Sequence, residues 1–299
     1  MLTFAQEQKT YTIGDVTIGG QPGENPTVLM GSIFYQGHRI VSDSDKGIFD
    51  KQKAKDLLEK EAEMSSITGN PRIIDVIGDT TPALINYLEF VAANSTSPIL
   101  VDSPIAKVRM DAIRHFAKTE VLPRLIYNSI EDHHSEEELA CIKECGIKTA
   151  VILAFNVKSI RPKKRIKLLE EKLLGAAQRA GVENMLIDTG VLDIPSISWS
   201  SQAIWEIKNK LGYPGGCAPA NALYQWKKKK PKGSPEFEVC GTSSYLLPIS
   251  WGANFILYGP IGNASWVYPA CATLDAIIAY GEQGKGIDIK KEHPLYRMF

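Results

Sequence analysis

Arg72-Ile-Ile-Asp-Val-Ile-Gly78-Asp79, followed by Thr80-Thr-Pro-Ala-Leu-Ile-Asn-Tyr-Leu-Glu-Phe-Val-Ala-Ala93 and then by Pro98-Ile-Leu-Val-Asp102-Ser103-Pro104, is the stretch on which the fold turns. Ile73 to Ile77 is an apolar run too short for a helix and closed by turn residues, as expected of a strand buried on both faces of a parallel sheet. Thr81 to Ala93 carries apolar residues at helical spacing, and Pro98 to Val101 is a second short apolar run. A strand, a helix and a returning strand within roughly 30 residues make a βαβ unit.

Outward from this unit the same alternation recurs. One apolar run, Thr27 to Met30, precedes it; Arg124 to Tyr127, Thr149 to Ala154, Met185 to Ile187, Gly212 to Cys217 and Asn254 to Tyr258 come after it. Helical spacing covers Lys51 to Met64, Ala106 to Lys118, Ser135 to Cys145, Lys163 to Ala180, Ser200 to Leu211, Ser243 to Trp251 and Ser265 to Gly281. Eight strand-helix units predict an α/β protein built as one (β/α)8 TIM barrel, a fold of about 250 residues. A doubly wound open sheet has the same local pattern and is the rival. The surplus length falls in residues 1–26, where Thr10 to Ile18 predicts a small hairpin with Gly19-Gly20 as its turn, and in a tail over 286–299. No linker rich in Pro, Ser or Gly divides the chain, so 1–299 reads as a single domain.

The 299 residues are 44% hydrophobic, and 34 Lys and Arg offset 34 Asp and Glu. That balance gives no general attraction to nucleic acid or to an anionic membrane surface. No apolar run approaches the ~20 residues of a membrane helix, and the opening Met1 to Val16 lacks the pattern of a secretory signal. Five cysteines, an odd number spread from Cys141 to Cys271, fit free thiols in a reducing compartment. A cytoplasmic protein without membrane insertion is expected.

The residues just after each apolar run point to function. The runs lead into Asp75-Val-Ile-Gly78-Asp79, Asp102-Ser103-Pro104, Tyr127-Asn128-Ser129, Phe155-Asn156, Asp188-Thr189-Gly190 and Gly215-Gly216-Cys217-Ala-Pro-Ala-Asn221. In a barrel these ends converge on one pocket. Singly, each Asp or Asn could be a helix cap or an Asx-turn; as a ring they suit a ligand. Carboxylates accept from an amino group and a ring N–H side by side, while Asn satisfies a mixed edge, and pterins and purines present such edges. A ring of Asp could instead hold Mg²⁺ for a phosphate-bearing substrate. No strong phosphate fingerprint accompanies it.

Val28-Leu-Met-Gly-Ser-Ile-Phe-Tyr-Gln-Gly-His38, Ser66-Ile-Thr-Gly-Asn-Pro71, Val101-Asp102-Ser103, Ile126-Tyr-Asn-Ser-Ile130, Asp188-Thr189 and the Gly-Gly-Cys with Asn221 resemble the H-subunit family of tetrahydromethanopterin S-methyltransferases over nearly the whole chain. The resemblance extends to soluble members of glycine betaine demethylation systems, which move methyl groups between corrinoid proteins and tetrahydrofolate. It implies a pterin-binding barrel, tetrahydrofolate or tetrahydromethanopterin as methyl carrier, a corrinoid supplied by a partner protein, and a homodimer. The family is similar in turn to the corrinoid-dependent methyltetrahydrofolate methyltransferases. By that resemblance Asp102, Asn128 and Asp188 hold the pterin ring and Asn221 reaches its N5, with Asp75 and Ser103 in the same binding set. Those barrels have Gly-x-Ser-Asn at the last motif, whereas this chain has Pro219-Ala220-Asn221. Two alternatives stand beside this reading: a dihydropteroate-synthase-like condensation, which would need diphosphate recognition, and a non-catalytic subunit that docks a corrinoid protein.

The remaining motifs have plainer readings. Cys141 and Cys145 lie four apart on one helix face and read as packing. Cys217, Cys240 and Cys271 could imitate a three-cysteine zinc site but lack ligand spacing, so no metal is expected. Gly259-Pro-Ile-Gly-Asn-Ala264 could form an anion nest, with a helix cap by Asn263 or Ser265 as the simpler account. Lys227 to Lys230 with Lys232 reads as a solvated loop or helix end, or as a lure over the pocket mouth for an acidic partner. His133-His134 reads as surface capping, and Asp43-Ser-Asp45 as an incomplete calcium loop.

Overall fold

The computed structural model describes residues 3–284 and 286–299. In chain order its elements begin with β1 (Thr10–Ile13), β2 (Val16–Gly19), β3 (Val28–Ile33), β4 (Val41–Asp43), β5 (Ile48–Phe49), α1 (Lys51–Thr68), β6 (Arg72–Ile77), α2 (Thr81–Asn94), β7 (Ile99–Asp102) and α3 (Ala106–Phe116). They continue with β8 (Leu125–Ile130), α4 (Glu136–Cys145), β9 (Thr149–Leu153), α5 (Pro162–Leu168), α6 (Leu174–Arg179), β10 (Asn184–Asp188), α7 (Ile197–Leu211) and β11 (Gly215–Cys217). The last are α8 (Pro219–Lys229), α9 (Phe237–Ser250), β12 (Phe255–Pro260), α10 (Ala264–Glu282) and α11 (Pro294–Arg297). All eight expected strands form, and they close as a parallel barrel in the order β10-β11-β12-β3-β6-β7-β8-β9. The open-sheet rival is thereby removed.

The inward-facing side chains change character along each strand. Met30, Ile73, Leu100, Ile126, Val151 and Leu186 form one apolar layer. Two residues further on, Ser32, Asp75, Asp102, Asn128, Leu153 and Asp188 line a cavity at the carboxyl end. The period of two in an extended strand puts both sets on the inner face. Ile74, Val76, Ile99, Val101 and Tyr127 face the other way and pack on the helices.

β1 and β2 pair as the expected hairpin, but its turn is Gly14-Asp15. Gly14 takes φ 58, and a positive φ at the first position of a two-residue hairpin loop favours glycine. Gly19-Gly20, read from the sequence as the turn, instead ends and follows β2. Ile13, Val16 and Ile18 join the apolar layer inside the barrel, so the hairpin plugs its amino end.

Other differences are local. The seventh strand begins at Gly215 rather than Gly212, which serves as the left-handed cap of α7. The helix expected over Lys163 to Ala180 is interrupted by a π-turn at Leu169–Leu173. The helix expected from Ser243 starts at Phe237, and α8, with no counterpart in the sequence reading, precedes it. β4 and β5 form a second unforeseen hairpin, in which Asp43 Oδ1 accepts from the backbone N–H of Asp45 and Lys46 at 3.1 and 3.0 Å, an ordinary Asx-turn. No helix among the described residues is long and apolar enough to cross a membrane.

Candidate active site

The cavity at the carboxyl end measures about 450 Å³, and every residue assigned to the site from sequence lines it: Asp75, Asp102, Ser103, Asn128, Asp188 and Asn221. Asp79, Asn156 and Thr189, which also follow apolar runs, do not line it. Asn156 donates to Asp132 at 2.7 Å, and Thr189 hydrogen-bonds the backbone oxygens of Ser200 and Gly216. Ser129 and Phe155, which follow apolar runs, also line the cavity, as do Ser32, Glu131 and Val191, which the strand-end reading did not single out.

Three carboxyls dominate its electrostatics. Asp75 is 2% exposed and accepts from Ser32 Oγ at 2.6 Å, while burial pushes it up to about 6. Asp102, half-buried at the end of β7, lines the cavity on the strand next to that of Asp75. Burial and then the Asp75 charge hold it well above the usual carboxylate range, with Arg109 opposing. Asp188 accepts from the Gly190 N–H at 2.6 Å, yet burial still raises it to about 6. Each carboxyl accepts few hydrogen bonds from the protein, and lone pairs are left for a ligand.

Two buried arginines, invisible to strand-end reading because they sit on helices, hold these loops. Arg109 of α3 donates to the Ser103 carbonyl at 2.5 Å and pairs with Glu138 at 2.8 Å, where Tyr127 OH also donates. It thereby ties the ends of β7 and β8 together beside Asp102. Arg165 of α5 is fully buried; Nη1 donates to the Gly190 carbonyl and Ser200 Oγ at 3.1 and 2.9 Å. Its Nε and Nη2 have no partner among the described residues, and burial lowers the guanidinium to about 10. The group lies 5.1 Å from the centre of the Phe155 ring, a wall of the cavity. Gly190 at φ 68 makes this close packing possible, since a Cβ there would sit 2.4 Å from Phe155 Cβ.

Ser103 contributes less through its side chain, which accepts from the Ile105 N–H at 3.3 Å. Asn128 is half-buried between the strands that carry Asp102 and Leu153. Asn221 is exposed in the first turn of α8 and reaches the cavity rim. The cap of that helix is Ala218, without a side-chain bond, so Asn221 is not there as a cap.

The secondary motifs resolve differently. Asn263 stands at the N-cap of α10, as expected, but makes no capping side-chain bond and instead donates to Tyr224 OH at 2.9 Å, while Gly259 lies against Ala220 and lines the cavity. Ser135, not a histidine, caps α4, and His134 Nδ1 lies 2.6 Å from the Glu131 carbonyl oxygen. Cys141 and Cys145 are buried with their sulfurs 4.0 Å apart, and Cys217, Cys240 and Cys271 are free. Among the described residues no group of three or more His, Cys, Asp or Glu could hold a metal ion. Lys227 Nζ sits 4.4 Å over the Phe237 ring at the start of α9. Because α9 must return the chain to the amino end to enter β12, that start lies at the carboxyl end, and the lysine run shares the face that carries the cavity.

Comparison with known proteins places this chain in a family. Residues 6–290 match the family model described as Tetrahydromethanopterin S-methyltransferase MtrH subunit. The chain is 37% identical to the H subunit of the tetrahydromethanopterin S-methyltransferase of Methanopyrus kandleri, with 97% of each chain covered. It is 36% identical to the protein of that name from Methanocaldococcus jannaschii and 34% identical to the one from Methanothermobacter thermautotrophicus, in each case over 100% of both chains. Among solved structures, dihydropteroate synthase of Xanthomonas albilineans superposes with a TM-score of 0.62 at 14% identity, covering 91% of this chain and 98% of that one. The enzyme from Thermus thermophilus gives 0.59 at 14% identity, over 90% and 100%. At such identity the likeness shows the barrel fold alone. With a match along nearly its whole length and end-to-end relatives above 30% identity, the chain belongs to the MtrH family of tetrahydromethanopterin S-methyltransferase subunits.

Proposed function

We propose that this protein transfers a methyl group between a corrinoid carried by a partner protein and N5 of a tetrahydropterin bound in the barrel, tetrahydrofolate or tetrahydromethanopterin. One observation carries the reading: Asp75, Asp102, Asn128 and Asp188 converge on a single cavity, and no lysine or histidine among the described residues lines it. Such a set suits a neutral heterocycle with adjacent N–H donors better than a phosphate. The cavity also has the concave shape and volume of a small-molecule site.

In this reading Asp102 and Asp188 accept from the amino and ring N–H groups, and Asn128 meets the mixed edge. Phe155, Val191 and Leu257 form apolar walls that keep water from the ring. Asn221, at the rim, meets N5 where the methyl group must be presented. N5 is nucleophilic without help. Its lone pair forms the new bond to the methyl carbon, the cobalt–carbon pair leaves with cobalt as Co(I), and the N5 proton passes to solvent. The protein supplies orientation and a dry site, and a neutral amide can serve N5 in either direction. The protein would act in the cytoplasm and meet its corrinoid partner transiently, as a homodimer by the family resemblance.

A dihydropteroate-synthase-like condensation is less well supported, because among the described residues no lysine, arginine or histidine lines the cavity to meet a diphosphate. The deciding assay mixes purified protein with methylcobalamin and tetrahydrofolate, or tetrahydromethanopterin, and follows Co(I) absorbance. Formation of Co(I) together with the N5-methyl product is expected. If neither carrier yields Co(I) even with a cognate corrinoid protein, the proposal fails.

A further inference from the structure

Asp75 differs from the other carboxyls of the cavity in how its two oxygens are used. Oδ2 accepts from Ser32 Oγ at 2.6 Å, whereas Oδ1 is buried and has no hydrogen-bond partner among the described residues. On the neighbouring strand Asp102 pairs in register with Ile77, two residues beyond Asp75, so the two carboxyls meet across the β6–β7 ladder. Both line the cavity, and burial, helped by the Asp75 charge, holds Asp102 well above the usual carboxylate range. Two carboxylates this close and this buried do not both ionise; a single proton between them removes the repulsion and gives the orphaned oxygen a partner.

The groups that face the pair decide where a ligand puts that proton. The charges of Arg109 from α3 and of Glu131 from the loop after β8 both act on Asp102, and the arginine has the larger influence. Ser32 of β3 faces Asp75 with a neutral hydroxyl, and no cation among the described residues acts on it. Asp188 lines the same cavity from β10. Asp102 is also the more open of the two, so the N–H donors of a ligand reach it first. Both Arg109 and those donors draw the negative charge onto Asp102.

We infer that Asp75 is a positioning residue for the ligand-bound site: it holds the shared proton on Oδ1 and donates it to Asp102, which then faces the ligand as a full carboxylate. The inference rests on the pterin reading above. Its consequence is specificity. With the proton on Asp75, Asp102 offers only acceptors and selects an edge with two adjacent donors. With the proton on Asp102, the same place would offer a donor and an acceptor.

The experiment is anaerobic calorimetry with 6-methyltetrahydropterin, which has the pterin edge of either carrier and the tail of neither, on wild type, Asp75→Asn and Asp102→Asn. The Asp75→Asn amide can donate to Asp102 while its carbonyl accepts from Ser32, so it copies the inferred arrangement. At neutral pH it should bind within about threefold of wild type, whereas Asp102→Asn should lose about tenfold or more, the cost of an unmet donor. As pH rises past the point where the empty pair gives up its shared proton, wild-type affinity should fall by up to about tenfold per pH unit. Asp75→Asn should lack that fall. If Asp75→Asn does not fold, wild type in two buffers of different ionisation heat still counts the proton, with uptake of about one on binding at alkaline pH expected. Asp75→Asn as weak as Asp102→Asn, or no alkaline uptake by wild type, overturns the inference. Failure of wild type to bind the probe, or full affinity in Asp102→Asn, overturns the pterin reading itself.

Discussion

The two ends of the barrel treat buried carboxyls in opposite ways. At the amino end Asp275 accepts three hydrogen bonds, from the Thr27 N–H, Thr27 Oγ1 and Asn70 Nδ2, at 2.9, 2.8 and 2.6 Å. Lys208 at the same end donates to the Gly20 carbonyl and Asn254 Oδ1, although burial lowers it to about 7. At the carboxyl end Asp188 accepts one bond from its own loop, and Arg165 behind it keeps two nitrogens unpartnered. Burial raises Asp275 and Asp188 alike to about 6. At the amino end Asp275 and Lys208 are held by partners within the protein and help hold the fold together. The carboxyl end leaves hydrogen-bonding capacity unspent, as a binding site must.

This contrast can be broken by exchanging losses between the ends. The largest effect should come from Asp275→Ala, which orphans two or three buried donors at about 1–3 kcal/mol each. Chemical denaturation should show the loss, while pterin affinity in the surviving folded protein stays at the wild-type level; a loss of affinity would blur the distinction between the ends. Asp102→Ala should do the reverse. It removes an acceptor for the ligand, weakens pterin binding by about 1–3 kcal/mol and leaves the melting temperature nearly unchanged.

Asp188→Asn sharpens the comparison through pH. The folded value of about 6 lies above the unfolded 3.8, so the charged form is disfavoured by folding. Stability from this group is present below the unfolded value and is lost as pH rises through about 6. The Asn variant should therefore be more stable than wild type above that pH, by about 1–3 kcal/mol, and no more stable near pH 3–4. Its pterin affinity should fall at the same time. Thermal melts across pH check it, and a variant less stable at neutral pH would show that the Asp188 charge is well compensated in the empty site.

Asn221→Ala should lower single-turnover methyl transfer by more than it weakens pterin binding, about tenfold for each 1.4 kcal/mol of lost transition-state contact. Because Asn221 caps nothing, stability should not move; a destabilised variant with a normal rate would refute its assignment. The smallest effect should be that of Lys227→Glu with Lys228→Glu. Stopped-flow rates with a corrinoid protein should drop and lose part of their salt dependence, while rates with free methylcobalamin stay the same. Equal behaviour with both donors would remove the steering role.

The strands were legible because each is buried on both faces and so reads as an apolar run that ends in a turn. The ring was legible for a related reason: a lone Asp or Asn at the end of an apolar run stands out against its surroundings. Ser32 and Glu131 do not stand out in that way. Ser32 sits inside an apolar strand as a small residue, and Glu131 opens a polar stretch of like residues. Arg109 and Arg165 were illegible from helical spacing, which reads a charged side chain as solvent-facing unless something across the chain buries it. α8 escaped because Pro219-Ala-Asn-Ala belongs to the same run of small residues as the end of β11.

The sequence by itself determined the succession of strand and helix, since a period of two and a period of 3.6 are local properties of the chain, whereas closure into a barrel and not an open sheet was decided by the pairing of β10 to β9 through the other strands. It also determined which residue types stand at the strand ends. Only the tertiary structure decided their relations. Asp75 and Asp102 lie 27 positions apart and become one proton-sharing unit only when β6 and β7 pair in the register that sets Ile77 against Asp102. Arg165 becomes a buried cation only because Gly190 and Ser200, on elements later in the chain, close over it. Charge, burial and proton affinity depend on what surrounds a group in space, and neighbours in space are set by packing and not by order along the chain.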